Sequence, residues 1–148
     1  MENSLSEFQS KAKNKGLNLT IEKPSKAIIF ADNSRTHEIT DNLIDNAIKY
    51  TDKGDIKISI KLYKKNVVFE VADSGKGIPK KYIPNLGKKF YRVDNYVDSS
   101  KNFNIVRPGG TGLGLYVTYG LAKAMNAQVH VSSEENKGSK FSVSFPVK

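Results

Sequence analysis

The chemistry available to this chain is concentrated in two glycine-rich segments and a pair of asparagines. Asp73-Ser-Gly-Lys-Gly-Ile-Pro79 and Gly109-Gly-Thr-Gly-Leu-Gly-Leu115 flank a long loop. The second leads into a helical pattern, so its backbone N–H groups and the helix dipole favour an anion there. Glycine at 110, 112 and 114 removes the Cβ atoms that would keep phosphate oxygens from the backbone. A plain tight turn is the other reading of that spacing. It is not a Walker A loop, because no Gly-Lys-Ser/Thr follows, nor a dinucleotide-binding turn, because no hydrophobic strand runs directly into it. Asp73 stands at a strand end beside Gly75 and Gly77, where a carboxylate can accept a hydrogen bond from an exocyclic amine such as adenine's. An aspartate opening a turn is the alternative. Asn42 and Asn46 lie one helical turn apart. Their amide oxygens are hard ligands that suit Mg²⁺, which fills its remaining positions with water and phosphate. An exposed polar stripe would also place them so, but two asparagines inside a helix oppose helix propensity and point to a compensating role.

Charge narrows the partners. The 24 basic and 15 acidic residues leave a net charge of +9. From Pro79 to Arg92 the charged residues are Lys80, Lys81, Lys88, Lys89 and Arg92, and Lys101 and Arg107 extend the trend. Such a stretch favours a polyanion, whether nucleic acid, anionic lipid or nucleoside triphosphate, or else serves as a solubilising face. The absence of cysteine excludes disulfides, thiolate zinc sites and a cysteine nucleophile. With His37 and His130 as the only histidines, a multi-histidine metal site is excluded as well. No run approaches the roughly 18 to 20 apolar residues of a membrane span. The first 16 residues contain early acids and no apolar run, unlike a signal peptide. A single cytosolic-facing domain is expected.

The elements that must position these residues follow from periodicity. Residues 1–16 carry a weak helical stripe of Leu5, Phe8 and Ala12 that ends at Gly16, and read as the end of a helix belonging to something upstream. Leu17–Ile21 and Ala27–Phe30 read as two short strands around Pro24. A helix over about Ser34–Tyr50 gathers Ile39, Leu43, Ile44, Ala47 and Ile48 on one half, with Asn42, Asn46 and Lys49 beside it. Ile56, Ile58, Ile60 and Leu62, then Val67, Phe69 and Val71, alternate as a hairpin should. A short helical piece near Lys80–Leu86 interrupts an otherwise aperiodic stretch from Asp73 to Gly112, and a connection of that length is usually functional. A helix from Gly112 to about Asn126 carries Leu113, Val117, Leu121 and Ala124. Strands Gln128–Ser132 and Lys140–Pro146 close the chain around a turn at Glu134–Gly138. The order predicts an α+β two-layer sandwich: a mixed, mostly antiparallel sheet with helices on one face.

Taken together, these pieces resemble a known family. Asn42-Leu-Ile-Asp-Asn46-Ala-Ile-Lys49-Tyr50-Thr51 resembles the N box of sensor histidine kinases, and Asp73-Ser-Gly-Lys-Gly-Ile-Pro79 their G1 box. Lys89-Phe90-Tyr91-Arg92 is similar to the F box, Gly109–Leu115 to the G2 box, and Gly138-Ser139-Lys140-Phe141 to the closing Gly-Ser/Thr-x-Phe element. The motifs occur in the family's order and cover roughly residues 17–148. The chain thus looks like the catalytic ATP-binding domain of a two-component histidine kinase, with the Bergerat-type ATP-binding fold shared with gyrase B and MutL. Residues 1–16 would be the remnant of a linker or helix from an upstream dimerisation hairpin that bears the phosphoacceptor histidine.

The resemblance implies Mg²⁺ coordination by Asn46 with Asn42 assisting, Lys49 reaching the phosphates and Tyr50 near the nucleotide. It implies adenine recognition by Asp73, supported by Gly75, Gly77, Ile78 and Ser139. Phe90, Gly110, Thr111, Gly112, Leu113, Gly114 and Leu115 would line the nucleotide, and Lys89 and Arg92 would attend the γ-phosphate. ATP-hydrolysing relatives, and the serine kinases of the anti-sigma type, carry a glutamate base where Asn42 stands. An amide cannot take a proton, which suits transfer to a histidine already nucleophilic when neutral. Neither His37 nor His130 sits in the phosphoacceptor context, so that histidine is expected on another segment.

The F box departs from the family pattern, with Gly87 in place of an aromatic anchor and Lys88 in place of glutamate. This predicts a lid, over about residues 94–110, that is weakly tied to the core and poorly ordered without nucleotide. The resemblance further implies a response regulator engaged through the parent kinase, a cytoplasmic and monomeric domain, and no nucleic-acid partner. A nucleotide-sensing or interaction module that keeps the fold without turnover is the alternative.

Overall fold

The computed structural model describes residues 2–88 and 113–147. Helix α1 (Glu2–Asn14) is followed by strand β1 (Asn18–Glu22), helix α2 (Asn33–Tyr50), strand β2 (Asp55–Leu62) and strand β3 (Asn66–Asp73). A 3-10 helix (Lys80–Asn85), helix α3 (Gly114–Ala124), strand β4 (Gln128–Glu134) and strand β5 (Gly138–Pro146) complete the described elements.

The strands form one mixed sheet in the order β1-β2-β3-β5-β4. Only β1 and β2 run parallel; the other neighbours are antiparallel. Register decides what faces the core. Pairing Val71 with Phe141 and Phe69 with Val143 puts the apolar alternation of β3 and β5 on one side, and all of these are buried. Because side chains alternate with a period of two, the same register carries Asp73 and its partner Ser139 onto that side, at the sheet's end.

Helix α2 covers the sheet with Ile39, Leu43, Ile44, Ala47 and Ile48, as its periodicity requires. It starts where Asp32 accepts the Arg35 N–H at 2.8 Å, a side-chain N-cap. Helix α1 also contributes to the core, through Phe8 and Ala12, with Leu17 just beyond it. The fold is the two-layer α/β sandwich expected, and no helix among the described residues is long and apolar enough to cross a membrane.

Two local expectations need correction. Ala27–Phe30 forms no strand. Ile28 and Phe30 are 67% and 78% exposed while Ile29 packs on the core, so the β-prone composition joins no strand ladder among the described residues and has only Ile29 to set against the core. On α3 the buried stripe is rotated from the one expected. Thr118 and Ala122 are buried, Leu115, Leu121 and Met125 pack against the core, and Ala124 is exposed. A count of apolar residues passes over Thr118, which faces α2 and sets the helix's rotation.

Candidate functional site

The sheet's register delivers Asp73 to the end of β3, and two turns fold around it. Its Oδ1 accepts the Gly75 N–H at 2.9 Å, and the Ser139 N–H is its other backbone donor. Burial nevertheless dominates and pushes the Asp73 carboxyl above its usual value, against the pull of those donors.

Gly75 forms the floor of this site. A Cβ there would come within 3.0 Å of both Asp73 Oδ1 and Thr51 Oγ1 and would crowd the Tyr50 carbonyl. The carboxylate, the hydroxyl and the carbonyl therefore converge on a space that exists only because residue 75 has no side chain. Thr51 is fully buried at the C-terminus of α2, and among the described residues its Oγ1 is the buried side-chain polar atom without a hydrogen-bond partner. Buried hydroxyls are nearly always satisfied, so this orphan beside Asp73 fits a site that takes a polar ligand or an ordered water. Gly77, with φ +68°, turns the chain where a Cβ would overlap the Glu134 carbonyl.

The sequence reading missed Ser133. Its Oγ accepts the Ile78 N–H at 2.7 Å and lies 2.8 Å from Ser139 Oγ and 2.9 Å from the Gly138 carbonyl. It thereby locks the glycine-rich loop after Asp73 to the β4–β5 turn. No motif marked it, though its placement at the end of a strand across from Ser139 was open to register reasoning. An open groove of about 650 Å³ at this end of the sheet is lined by Asp73, Lys80, Ser133, Ser139 and Lys140 among others.

The helix residues divide into those at the α2–α3 junction and those at the end of α2. Asn42 Nδ2 sits 3.4 Å from both the Gly114 carbonyl and Thr118 Oγ1. It ties the middle of α2 to the first turns of α3, and both of these contacts use its Nδ2, not its amide oxygen. Asn46 follows one turn later on α2. Lys49 forms a 2.7 Å ion pair with Asp45 on its own helix, and Tyr50 is partly exposed. Leu113 occupies the N-cap of α3 and has no side chain able to cap it, so Gly114 and Leu115 open the helix with backbone N–H groups free of such a cap.

Lys89, Phe90, Arg92, Gly110, Thr111 and Gly112 lie outside the described residues, as does the expected lid over 94–110. Gly87 lies against the Tyr119 ring, whose carbons fill the space a side chain at 87 would take. The aromatic volume absent at 87 is supplied there by α3.

Residues 31–148 match the family described as histidine kinase-, DNA gyrase B-, and HSP90-like ATPase. The Escherichia coli K12 aerobic respiration control sensor protein ArcB is 34% identical over 142 residues, covering 95% of this chain and 17% of that protein. The Bacillus subtilis sensor histidine kinase YclK is 32% identical over 140 residues, covering 95% of this chain and 28% of that protein. The chain thus spans well under a third of these relatives. Among solved structures, full-length ShkA in complex with AMPPNP matches with a TM-score of 0.82 at 24% identity, covering 99% of this chain and 29% of that one. The nucleotide-free catalytic domain of histidine kinase ThkA matches with a TM-score of 0.79 at 23% identity, covering 98% and 90%.

Proposed function

The chain belongs to the histidine kinase-, DNA gyrase B-, and HSP90-like ATPase family, and from that premise we propose that it binds Mg²⁺-ATP and delivers the γ-phosphoryl group to a histidine on a separate helical hairpin of a sensor histidine kinase, in two-component signalling. The observation that carries this reading is the polar cradle over Gly75. Asp73 offers a carboxylate oxygen, Thr51 a buried hydroxyl without a partner, and a Cβ would fill the space between them. An adenine exocyclic amine matches a carboxylate acceptor, whereas the carbonyl at the corresponding position of guanine would repel it. Gly77, Ile78 and Ser139, locked together through Ser133, form the wall of the base site.

Asn46 would hold Mg²⁺ through its amide oxygen, with Asn42 assisting, and such an ion would neutralise charge on the phosphates. Lys49 turns from Asp45 toward the phosphates, Tyr50 packs near the nucleotide, and the backbone of Leu113, Gly114 and Leu115 faces the anion. Phe90, Gly110, Thr111 and Gly112 complete the nucleotide's surroundings. Lys89 and Arg92 stabilise charge on the transferring group. The bond from phosphorus to the β,γ-bridging oxygen breaks, the unprotonated imidazole nitrogen bonds to phosphorus, the proton on the other ring nitrogen passes to solvent, and ADP leaves. No carboxylate base stands at position 42, and a neutral imidazole needs none.

Residues 17–148 are the catalytic unit of this account, and residues 1–16 the end of a helix from the hairpin. The domain acts in the cytoplasm as a monomer, and the parent kinase passes the phosphoryl group to a response regulator. Mixing the domain with radiolabelled ATP and a purified histidine-bearing hairpin tests the proposal. Acid-labile, base-stable label on the hairpin is expected. A domain that binds ATP yet labels none of the cognate hairpins supplied to it contradicts the transfer and leaves the nucleotide-sensing alternative.

A further inference from the structure

The turn that closes helix α1 sends Lys15 to the end of α2 beside the proposed nucleotide site. The helix ends at Asn14, and Gly16, with φ of +77° and its N–H on the Lys13 carbonyl, turns the chain just beyond it. The Leu17 N–H returns to the Ala12 carbonyl at 2.8 Å, and together these bonds fix the backbone of Lys15. From there Lys15 Nζ donates to the Ile48 carbonyl at 2.7 Å and to the Lys49 carbonyl at 3.0 Å. Those are carbonyls of the last turn of α2, which have no partner within the helix. A cation at a helix C-terminus is favoured both by direct charge-assisted bonds and by the macrodipole.

The two capped residues immediately precede Tyr50 and Thr51, whose carbonyl and hydroxyl border the space over Gly75 beside Asp73. Lys15 also lies 3.8 Å from Asp52, which in turn lies 3.9 Å from Lys76 in the loop between Asp73 and Gly77. Asp52 is well exposed, so those ion pairs contribute little and the carbonyl bonds carry the connection.

We propose that Lys15 is a positioning residue of the nucleotide site: by capping α2 from α1 it holds Tyr50 and Thr51 at Gly75, so that the seating of α1 sets the affinity for adenine nucleotide. This rests on the assignment of the Asp73 cradle to adenine. The docking of α1 then governs more than stability. Any movement that lifts α1 withdraws the cap, frees the last turn of α2 and loosens the base site, although Lys15 itself does not contact the nucleotide.

Isothermal titration of the full 148-residue chain with a non-hydrolysable ATP analogue and Mg²⁺ tests this, with thermal melting of the nucleotide-free protein measured beside it. Lys15→Met is expected to weaken binding about five- to tenfold at a temperature where it is fully folded, and Lys15→Arg, which can still donate to both carbonyls, to bind within about twofold of the parent. If Lys15→Met does not fold, Lys15→Gln reads the same quantity with a smaller expected loss. Affinity within twofold of the parent in a folded Met or Gln variant, even with a lowered melting temperature, would show a purely structural cap and overturn the inference alone. A parent chain that binds no adenine nucleotide would overturn the site assignment and the inference with it.

Discussion

Asp73→Asn should weaken binding while leaving folding nearly unchanged, because the structure gives this carboxylate both a burial penalty and a ligand-facing role. Burial raises its pKa above the usual 3.8 despite two backbone donors. Between 3.8 and the raised value the folded state binds more protons than the unfolded one, so folding stability falls as pH rises through that window. The penalty remains in full at neutral pH. Asparagine removes the charge, and with it the penalty, but its neutral amide oxygen is a weaker acceptor than a carboxylate for the Gly75 N–H, at a cost of about 1 kcal/mol. These effects oppose each other, so the nucleotide-free domain should unfold within about 1 kcal/mol of the parent. Binding has no such compensation. A hydrogen bond to a charged acceptor contributes about 1.5–3 kcal/mol, and the amide group would present a donor to the adenine amine, so affinity for an ATP analogue should fall about 10- to 100-fold. Preference for ATP over GTP should collapse with it. Titration calorimetry at neutral pH with both nucleotides reads the effect, and urea unfolding at pH 4 and pH 7 reads the linkage. An Asp73→Asn variant that binds within twofold of the parent and still prefers ATP would refute this reasoning. In the parent, affinity should also fall on acidification with a midpoint above 3.8.

Other substitutions separate the parts of the site. Asn46→Ala should abolish the enhancement of nucleotide binding by Mg²⁺ while leaving metal-free binding nearly unchanged; titrations with and without the ion report it. Gly77→Ala must adopt φ +68° and push against the Glu134 carbonyl, so a loss of at least about 2 kcal/mol, or roughly 6–10 °C in Tm, is expected by calorimetry. Ser133→Ala strands the Ile78 N–H and should cost about 1–2 kcal/mol in chemical unfolding, with faster amide exchange at Ile78 than in the parent.

Legibility of the sequence depended on how local the signal was. The β2–β3 and β4–β5 hairpins and α2 were readable because alternation and helical periodicity are imposed by one buried face. Asp73 could be placed at a strand end for the same reason. Ala27–Phe30 misled because β propensity is expressed only where a strand can pair, and this segment joins no strand ladder among the described residues. The rotation of α3 was hidden because its central buried residue, Thr118, is polar and earns its position by facing Asn42 rather than by hydrophobicity. Lys15 and Ser133 were invisible for a related reason. Each acts on backbone groups distant in sequence, Lys15 on Ile48 and Lys49, Ser133 on Ile78, and a lysine or serine in isolation carries no mark of such a bond. Helix α1 gave only a weak stripe, yet Phe8 and Ala12 are buried on the domain's core.

In the proposed function, the cradle formed by Asp73, Thr51 and Gly75 holds adenine beside a magnesium-assisted phosphate site. Isothermal titration of the chain with a non-hydrolysable ATP analogue, with and without Mg²⁺ and with GTP as control, tests it most directly. Adenine-selective binding strengthened by Mg²⁺ is the predicted result. Equal affinity for the guanine nucleotide, or no binding at millimolar ligand, would contradict it.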